Sequence, residues 1–276
     1  MDLHIHSTCS DGSLTPEEIV KKASEKKLKI ISITDHDEIS AYKLAKPKAD
    51  KLDIKLIPGV EINTEVNKKE VHILGYFIDV NNKYLIEGLE KLREQRELRV
   101  KKISEKLTHL GYPLTYDEVC QVSQGKSIGR VHVAEAMIKK GYVSSIREAF
   151  NSFLATSEKA YVPRYKLSPN QAIKLIHKAG GVAVLAHPVQ IQDDQLVTEL
   201  TKFVDGIEVY HSDHSSEDIK KYLSYAEKSS LIVSGGSDCH GSSKGMPFLM
   251  GTVLIPESVK IPWKLGKEEL LSPSLE

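Results

Sequence analysis

The chain has 276 residues, and 38 Lys and Arg against 38 Asp and Glu leave no formal net charge. Hydrophobic residues at 40% and charged residues at 28% are ordinary globular usage, which excludes a disordered or collagen-like chain. Zero net charge argues against a protein that coats nucleic acid by bulk charge. In chain order, residues 2–6 read as a short strand. Thr15-Pro16-Glu17-Glu18 is a helix start, with Thr as cap, Pro at the first position and Glu three after the cap, and the helix runs to about 27. Residues 29–34 form a nearly continuous apolar strand, as expected when both sheet faces are covered. A helix over about 39–52 follows, then strands near 54–61 and 71–76.

The pattern changes near 80. Residues 84–110 form a long, charged helix that stops at Gly111. Its Lys, Arg and Glu over 87–106 read as a solvated surface. Shorter helices follow at about 116–124, 130–140 and 145–155, with no strand evident. The expected division is therefore 1–80 with 166–276 as one α/β domain, and 81–165 as a helical insertion. Alternation resumes at Ser168-Pro169, with strands at 182–186, 206–210, 231–235 and 252–255, and a helix at about 216–229. Strand–helix alternation on both sides of the insertion predicts an α/β layer or barrel with largely parallel strands.

No run approaches the roughly 18 apolar residues of a membrane span. Met1-Asp2-Leu3-His4 shows no basic-then-apolar leader. Three Cys without a CxxC spacing suit a reducing compartment, so the expectation is a cytoplasmic protein with no membrane contact and no evident protein partner.

Histidine is the organised residue. Of 11 His, His4 and His6 end the first strand, His36 sits between Asp35 and Asp37 after the second, and His187 follows the apolar run 182–186. Asp238-Cys239-His240 follows the last buried strand, Glu61 ends the third, and His72 lies in the fourth. Residues i and i+2 of a strand share a face, so His4 and His6 can serve one metal while Ile5 packs on the other side, and Asp238 and His240 repeat the device. Sites in α/β folds are built at the C-terminal strand edge. Six His with Asp11, Glu61 and Asp238 exceed what one four-coordinate ion needs, so two or three ions sharing a carboxylate are expected. Imidazole with carboxylate suits Zn, Mn or Fe. Such two-metal sites clamp the attacking and leaving oxygens in phosphoester hydrolysis. His109 and His177, within helices, read as structural.

The motifs D-L-H-I-H-S-T-C-S-D-G at 2–12, I-T-D-H-D at 33–37, G-V-E at 59–61, H-I-L-G-Y at 72–76, A-H-P at 186–188 and S-D-C-H-G at 237–241 resemble, in order, those of the PHP (polymerase and histidinol phosphatase) family. The resemblance implies a distorted seven-stranded β/α barrel with a trinuclear metal site and metal-dependent phosphoester hydrolysis by metal-bound hydroxide. It implies a first ion held by His4, His6 and Asp238, with Glu61 bridging to a second held by His72 and His187. A third would take Asp11, His36 and His240, with Asp35 and Asp37 orienting His36 or its neighbours.

Ser10-Asp11-Gly12 and the insertion resemble the branch of nucleoside 3′,5′-bisphosphate phosphatases, whose relatives trim RNA 5′ ends. In that branch Ser127, Arg130 and His132 open a helix suited to a phosphate, and the insertion caps the site. His214 is a candidate for substrate contact or proton donation, and His211 lies on the rim without a role. The substrate implied is a small phosphorylated nucleotide, the 3′-phosphate of a 3′,5′-bisphosphate being the ester cleaved. A 5′-3′ exonuclease on short RNA or DNA, a histidinol phosphatase and a non-catalytic binding module are the alternatives.

Overall fold

The computed structural model describes residues 1–123, 128–163, 165–242 and 248–256. Seven strands form one sheet in sequence order: β1 (Asp2–Ile5), β2 (Ile30–Ile33), β3 (Lys55–Val66), β4 (Lys69–Tyr76), β5 (Val182–Leu185), β6 (Gly206–His211) and β7 (Ile232–Gly236). The two edges meet. Ile5 bridges Cys239 in parallel, and the His6 amide donates to the Cys239 carbonyl at 3.0 Å. The result is a distorted seven-stranded β/α barrel. Leu3, Ile57, Leu74, Tyr76, Val184 and Ala186 fill its interior, and the Tyr76 hydroxyl donates to the Leu3 carbonyl at 2.9 Å.

The strands are not all parallel. β4 runs against both β3 and β5, while the other neighbours are parallel. The cause is a two-residue hairpin at Asn67-Lys68, with φ of 52° and 64°. Two left-handed residues in succession match the twist of an antiparallel pair. β3 therefore continues past Glu61 to Val66, beyond the expected end. The expected strand at 252–255 does not form. That segment packs Val253 and Ile255 on the core without joining the ladder.

The barrel helices are α1 (Pro16–Glu25) and α2 (Ser40–Lys51), α3 (Lys83–His109), then α7 (Pro169–Lys178), α8 (Asp194–Leu200) and α9 (Ser216–Lys228). Thr15 with Glu18, and Ser168 with Gln171, form the reciprocal caps that start α1 and α7. Between β4 and α7 the described elements are all helical: α3, α4 (Tyr116–Cys120), α5 (Arg130–Lys139) and α6 (Ile146–Ala149), which runs into a π turn at Phe150–Leu154. These share a core of their own, including Ile103, Leu107, Val133, Met137 and Leu154. Among the described residues, no helix is long and apolar enough to cross a membrane.

Candidate metal centre

β1 places His4 and His6 on one face, both buried. β7 presses against them. A Cβ on Gly236 would stand 2.4 Å from the His4 Cβ, so only glycine permits the approach. Beyond β7, Asp238 adopts a left-handed φ of 52°. Its Oδ1 lies 3.4 Å from His4 Nε2 and 3.0 Å from His6 Nε2.

Glu61 stands at the centre of the cluster, and its two oxygens face different groups. Oε1 lies 2.8 Å from His72 Nδ1 and 3.0 Å from His187 Nε2. Oε2 lies 2.8 Å from His36 Nδ1, 3.3 Å from His6 Nε2 and 3.5 Å from His4 Nε2. His72 reaches this rim from the antiparallel strand β4, paired opposite Asn63 of β3. Asp11 adds a third grouping, 3.4 Å from His240 Nε2, 3.6 Å from His36 Nε2 and 3.7 Å from His6 Nδ1. The His240 ring stacks on His6 at 4.1 Å.

Several of these atoms are buried without an aligned hydrogen bond: His4 Nε2, both His6 nitrogens, Glu61 Oε2, His187 Nδ1 and Asp238 Oδ1. Each except His187 Nδ1 lies within ion-pair distance of an oppositely charged partner in the cluster, without an aligned hydrogen bond. Donors about 2.1 Å from a shared ion stand about 3.0–3.4 Å apart. The spacings above, from 2.8 to 3.7 Å, bracket that range, and orphaned buried donors otherwise carry a cost. The residues present therefore fit divalent ions.

Charge within the cluster is mutually adjusted. Burial opposes ionisation of Glu61, Asp11 and Asp238, but the surrounding imidazoles hold all three well below the usual carboxylate range. Burial likewise opposes the charged form of His6, and Asp238 and Glu61 outweigh it, raising His6 to about 10. His72, also opposed by burial, is raised by Glu61 and Glu70 to about 9.

A second row supports the first. Glu208 of β6 is fully buried, lies 3.1 Å from His4 Nδ1 and accepts the His187 amide at 2.8 Å. It keeps the His4 proton on Nδ1 and leaves Nε2 facing the cluster, the usual carboxylate–histidine arrangement at metal sites. Beyond it, His211 accepts the Asp213 amide on Nδ1 at 3.1 Å and turns Nε2 to within 3.7 Å of Asp238. Asp35 accepts the Ser7 amide and both the Ser7 and Ser10 hydroxyls. Asp37 accepts the Asn63 amide and the Arg96 guanidinium. Asn63 Nδ2 is the group that meets His36, at 3.0 Å from its Nδ1.

A cavity of about 270 Å³ lies over the cluster. Asp11, His36 and His72 line one side, and Arg96, Arg99 and Arg130 line another. Arg99 and Arg130 both lie against the Tyr161 ring, at 5.6 and 6.0 Å. Arg99 donates to the Val162 carbonyl at 2.8 Å, and Arg130 to the Leu154 carbonyl at 3.1 Å. Burial and the neighbouring Arg130 pull Arg99 down to about 10. His132 also lines the cavity and accepts the Gly129 amide on Nδ1 at 3.0 Å.

Two expectations are corrected and one lies out of reach. The 87–106 face is not simply solvated, since Arg96 is 8% exposed and Arg99 faces the cavity. His214 does not line that cavity. It sits behind His211, its ring 4.9 Å from Tyr222 and its Nδ1 donating to the Val209 carbonyl at 2.8 Å. Ser127 lies outside the described residues. His109 and His177 stand apart from the cluster, bonded to the Glu105 carbonyl and to Asp205.

The chain resembles known proteins along nearly its whole length. It is 34% identical to the 5′-3′ exoribonuclease Rnm of Escherichia coli (strain K12), over 97% of this chain and 94% of that protein. It is 30% identical to the 3′,5′-nucleoside bisphosphate phosphatase of Chromobacterium violaceum, over 99% of each. A predicted metal-dependent phosphoesterase of Bifidobacterium adolescentis has the same fold, with a TM-score of 0.83 at 30% identity over 94% of this chain and 93% of that one. The PHP domain model matches residues 2–229, from β1 through α9. With that span matched and full-length relatives alongside, the chain belongs to the PHP domain family and is a metal-dependent phosphoesterase.

Proposed function

We propose that the chain removes the 3′-phosphate of nucleoside 3′,5′-bisphosphates. The observation that carries this is the pair Arg99 and Arg130, set on Tyr161 and lining the same cavity as Asp11, His36 and His72. A substrate with two phosphates needs two anionic subsites. The ions at the cluster serve one, and the guanidinium pair serves the other, where charge-assisted bonds are the strong ones.

Two to three divalent ions, Mn, Fe or Zn, would be held here. His4, His6 and Asp238 would hold one, His72 and His187 a second, with one Glu61 oxygen toward each. Asp11, His36 and His240 would hold the third. Bound ions supply Lewis acidity to the phosphoryl oxygens and lower the pKa of water. The chain's own residues do the rest. Arg99 and Arg130 bind the 5′-phosphate, Phe150 and Tyr161 offer flat faces, and neutral His132 presents Nε2 because Nδ1 is occupied. Free Cys9, Cys120 and Cys239 suit a reducing compartment, so the cytoplasm is the proposed setting.

The name of the C. violaceum relative agrees with this reading. The E. coli relative favours a second one, 5′-3′ exoribonuclease action. On a nucleotide anchored here by a 5′-phosphate, both reactions would break the P–O3′ bond. They differ in what else is attached to the phosphorus.

The test is steady-state hydrolysis by metal-loaded and chelated protein. A nucleoside 3′,5′-bisphosphate should be cleaved only with metal, and at least roughly tenfold faster than the 3′-monophosphate, as expected when a charged anchor is lost. Preference for histidinol phosphate, or no hydrolysis by protein holding two or more ions, refutes the proposal.

A further inference from the structure

Glu61 and Asn63 repeat on β3 the spacing that sets His4 and His6 on one face of β1, so Asn63 faces the cluster beside Glu61. Asn63 is buried and lines the cavity over the cluster. Its backbone is fixed, because its amide donates to Asp37 Oδ1 at 3.2 Å and it pairs with His72 across the β3–β4 ladder. From that fixed backbone the carboxamide reaches His36.

Two groups compete there for one nitrogen. Glu61 Oε2 lies 2.8 Å from His36 Nδ1, and Asn63 Nδ2 lies 3.0 Å from it. An imidazole nitrogen carries either a proton or a lone pair. An ionised carboxylate only accepts, so the Glu61 contact needs a proton on Nδ1. The Asn63 NH2 group only donates, so its contact needs a lone pair there. Without ions the ring serves one of the two. The choice is felt across the ring, where Nε2 faces Asp11 Oδ2 at 3.6 Å. A proton on Nδ1 leaves the neutral ring a lone pair on Nε2 for an ion, whereas a lone pair on Nδ1 puts the proton on Nε2 and closes that position.

On the ion assignment above, Glu61 turns its oxygens to ions, and the His36 Nδ1 proton needs another acceptor. The two ends of a carboxamide are alike in shape, so a half-turn brings Asn63 Oδ1 to where Nδ2 stands. We propose that Asn63 is the positioning residue of the third ion: its Oδ1 takes over the His36 Nδ1 proton from Glu61 and keeps Nε2 open to the ion shared with Asp11 and His240. The proposal rests on that ion assignment. A neutral side chain outside the ligand set then decides whether the chain holds two ions or three.

The probe is zinc alone, titrated into chelator-stripped protein against a chromogenic chelator. Wild type should bind three ions. Asn63→Leu keeps the shape without the polar end and should weaken one ion about 10- to 100-fold, with the other two as the control for folding. Asn63→Asp, which only accepts, should hold all three at least as tightly as wild type. In a His240→Ala background Asn63→Leu should cost nothing further, because both changes act on the same ion. Three ions held by Asn63→Leu as by wild type overturn the proposal, and so does Asn63→Asp as weak as Asn63→Leu. Should Asn63→Leu not fold, nitrogen NMR of zinc-loaded wild type decides, with His36 assigned by the signal lost in His36→Gln. A proton on Nδ1 supports the proposal, and one on Nε2 overturns it. Wild type that binds two ions overturns it and leaves the phosphoesterase reading standing. Wild type that binds none sinks the ion assignment on which it stands.

Discussion

Replacing Arg96 by Met tests how the insertion is joined to the site. The Arg96 Nε donates to Asp37 Oδ2 at 2.8 Å, with the side chains 9% and 0% exposed. Asp37 keeps the Asn63 amide at 3.2 Å in the variant, but a buried carboxylate loses its guanidinium. Removing one member of such a pair costs about 3–5 kcal/mol. At about 2–4 °C per kcal/mol for a chain of this size class, Tm falls by roughly 6–20 °C. Met retains most of the apolar stem, so packing is largely preserved and the charge effect dominates. Asp37→Asn in the Arg96→Met background removes the stranded charge. Asn tolerates the left-handed φ of 53° at this position, so the double variant should recover at least about 1 kcal/mol. Urea unfolding of all four forms, with chelator throughout, gives the cycle. A loss below about 1 kcal/mol in Arg96→Met, or a double variant no more stable than it, refutes the reasoning.

Arg99→Met or Arg130→Met should raise KM for the bisphosphate by roughly ten- to hundredfold with kcat little changed. A fall in kcat at constant KM would place these residues elsewhere. Glu208→Gln should weaken metal binding about 10- to 100-fold, read by competition with a chromogenic chelator; unchanged affinity would mean that Glu208 does not orient His4. In the metal-free chain, His6 is raised to about 10 and His72 to about 9. A histidine raised on folding contributes stability that is complete below its unfolded pKa of about 6.5 and is lost through the folded value. Urea midpoints of chelated protein should therefore fall between pH 7 and about 9.5, and a rise would contradict the charge pattern. Bound metal takes the place of those protons, so calorimetry near pH 7 should detect proton release on loading.

Much of the site was legible because its residues sit at strand ends in short motifs. His4 and His6 follow strand alternation, and the His240 and Asp238 pair sits just past β7. Glu208 was not legible for a structural reason. Alternation would put it and His211 on opposite faces, but β6 has a register irregularity between Glu208 and Tyr210. An extra residue there turns both toward the cluster. The one cue in the sequence was a lone carboxylate in an apolar run. The direction of β4 was hidden in the same way, because Asn67-Lys68 lacks the glycine that marks most two-residue hairpins. His214 is near His211 in space as well as in sequence, their rings 5.3 Å apart, but it packs behind it on Tyr222 and bonds the Val209 carbonyl instead of lining the cavity.

α3 shows why composition alone misjudged the insertion. Its charged residues suggest a solvated rod, but its buried residues fall into two sets. Leu85, Leu89 and Leu92 pack in the barrel core, while Val100, Ile103 and Leu107 pack in the insertion core. Arg96 stands between the sets, where the helix passes from one core to the other. A boundary drawn at residue 80 precedes the helix, whereas the change of packing falls inside it. One rigid helix thus carries Arg93 and Arg96 to the Asp37 backbone and carboxylate, and Arg99 to the cavity. Asp37 holds the Asn63 amide, and Asn63 meets His36. α3 is therefore bonded to the residues beneath the cluster as well as lining the cavity over it. Shifting α3 would move the cavity wall and the support of His36 together.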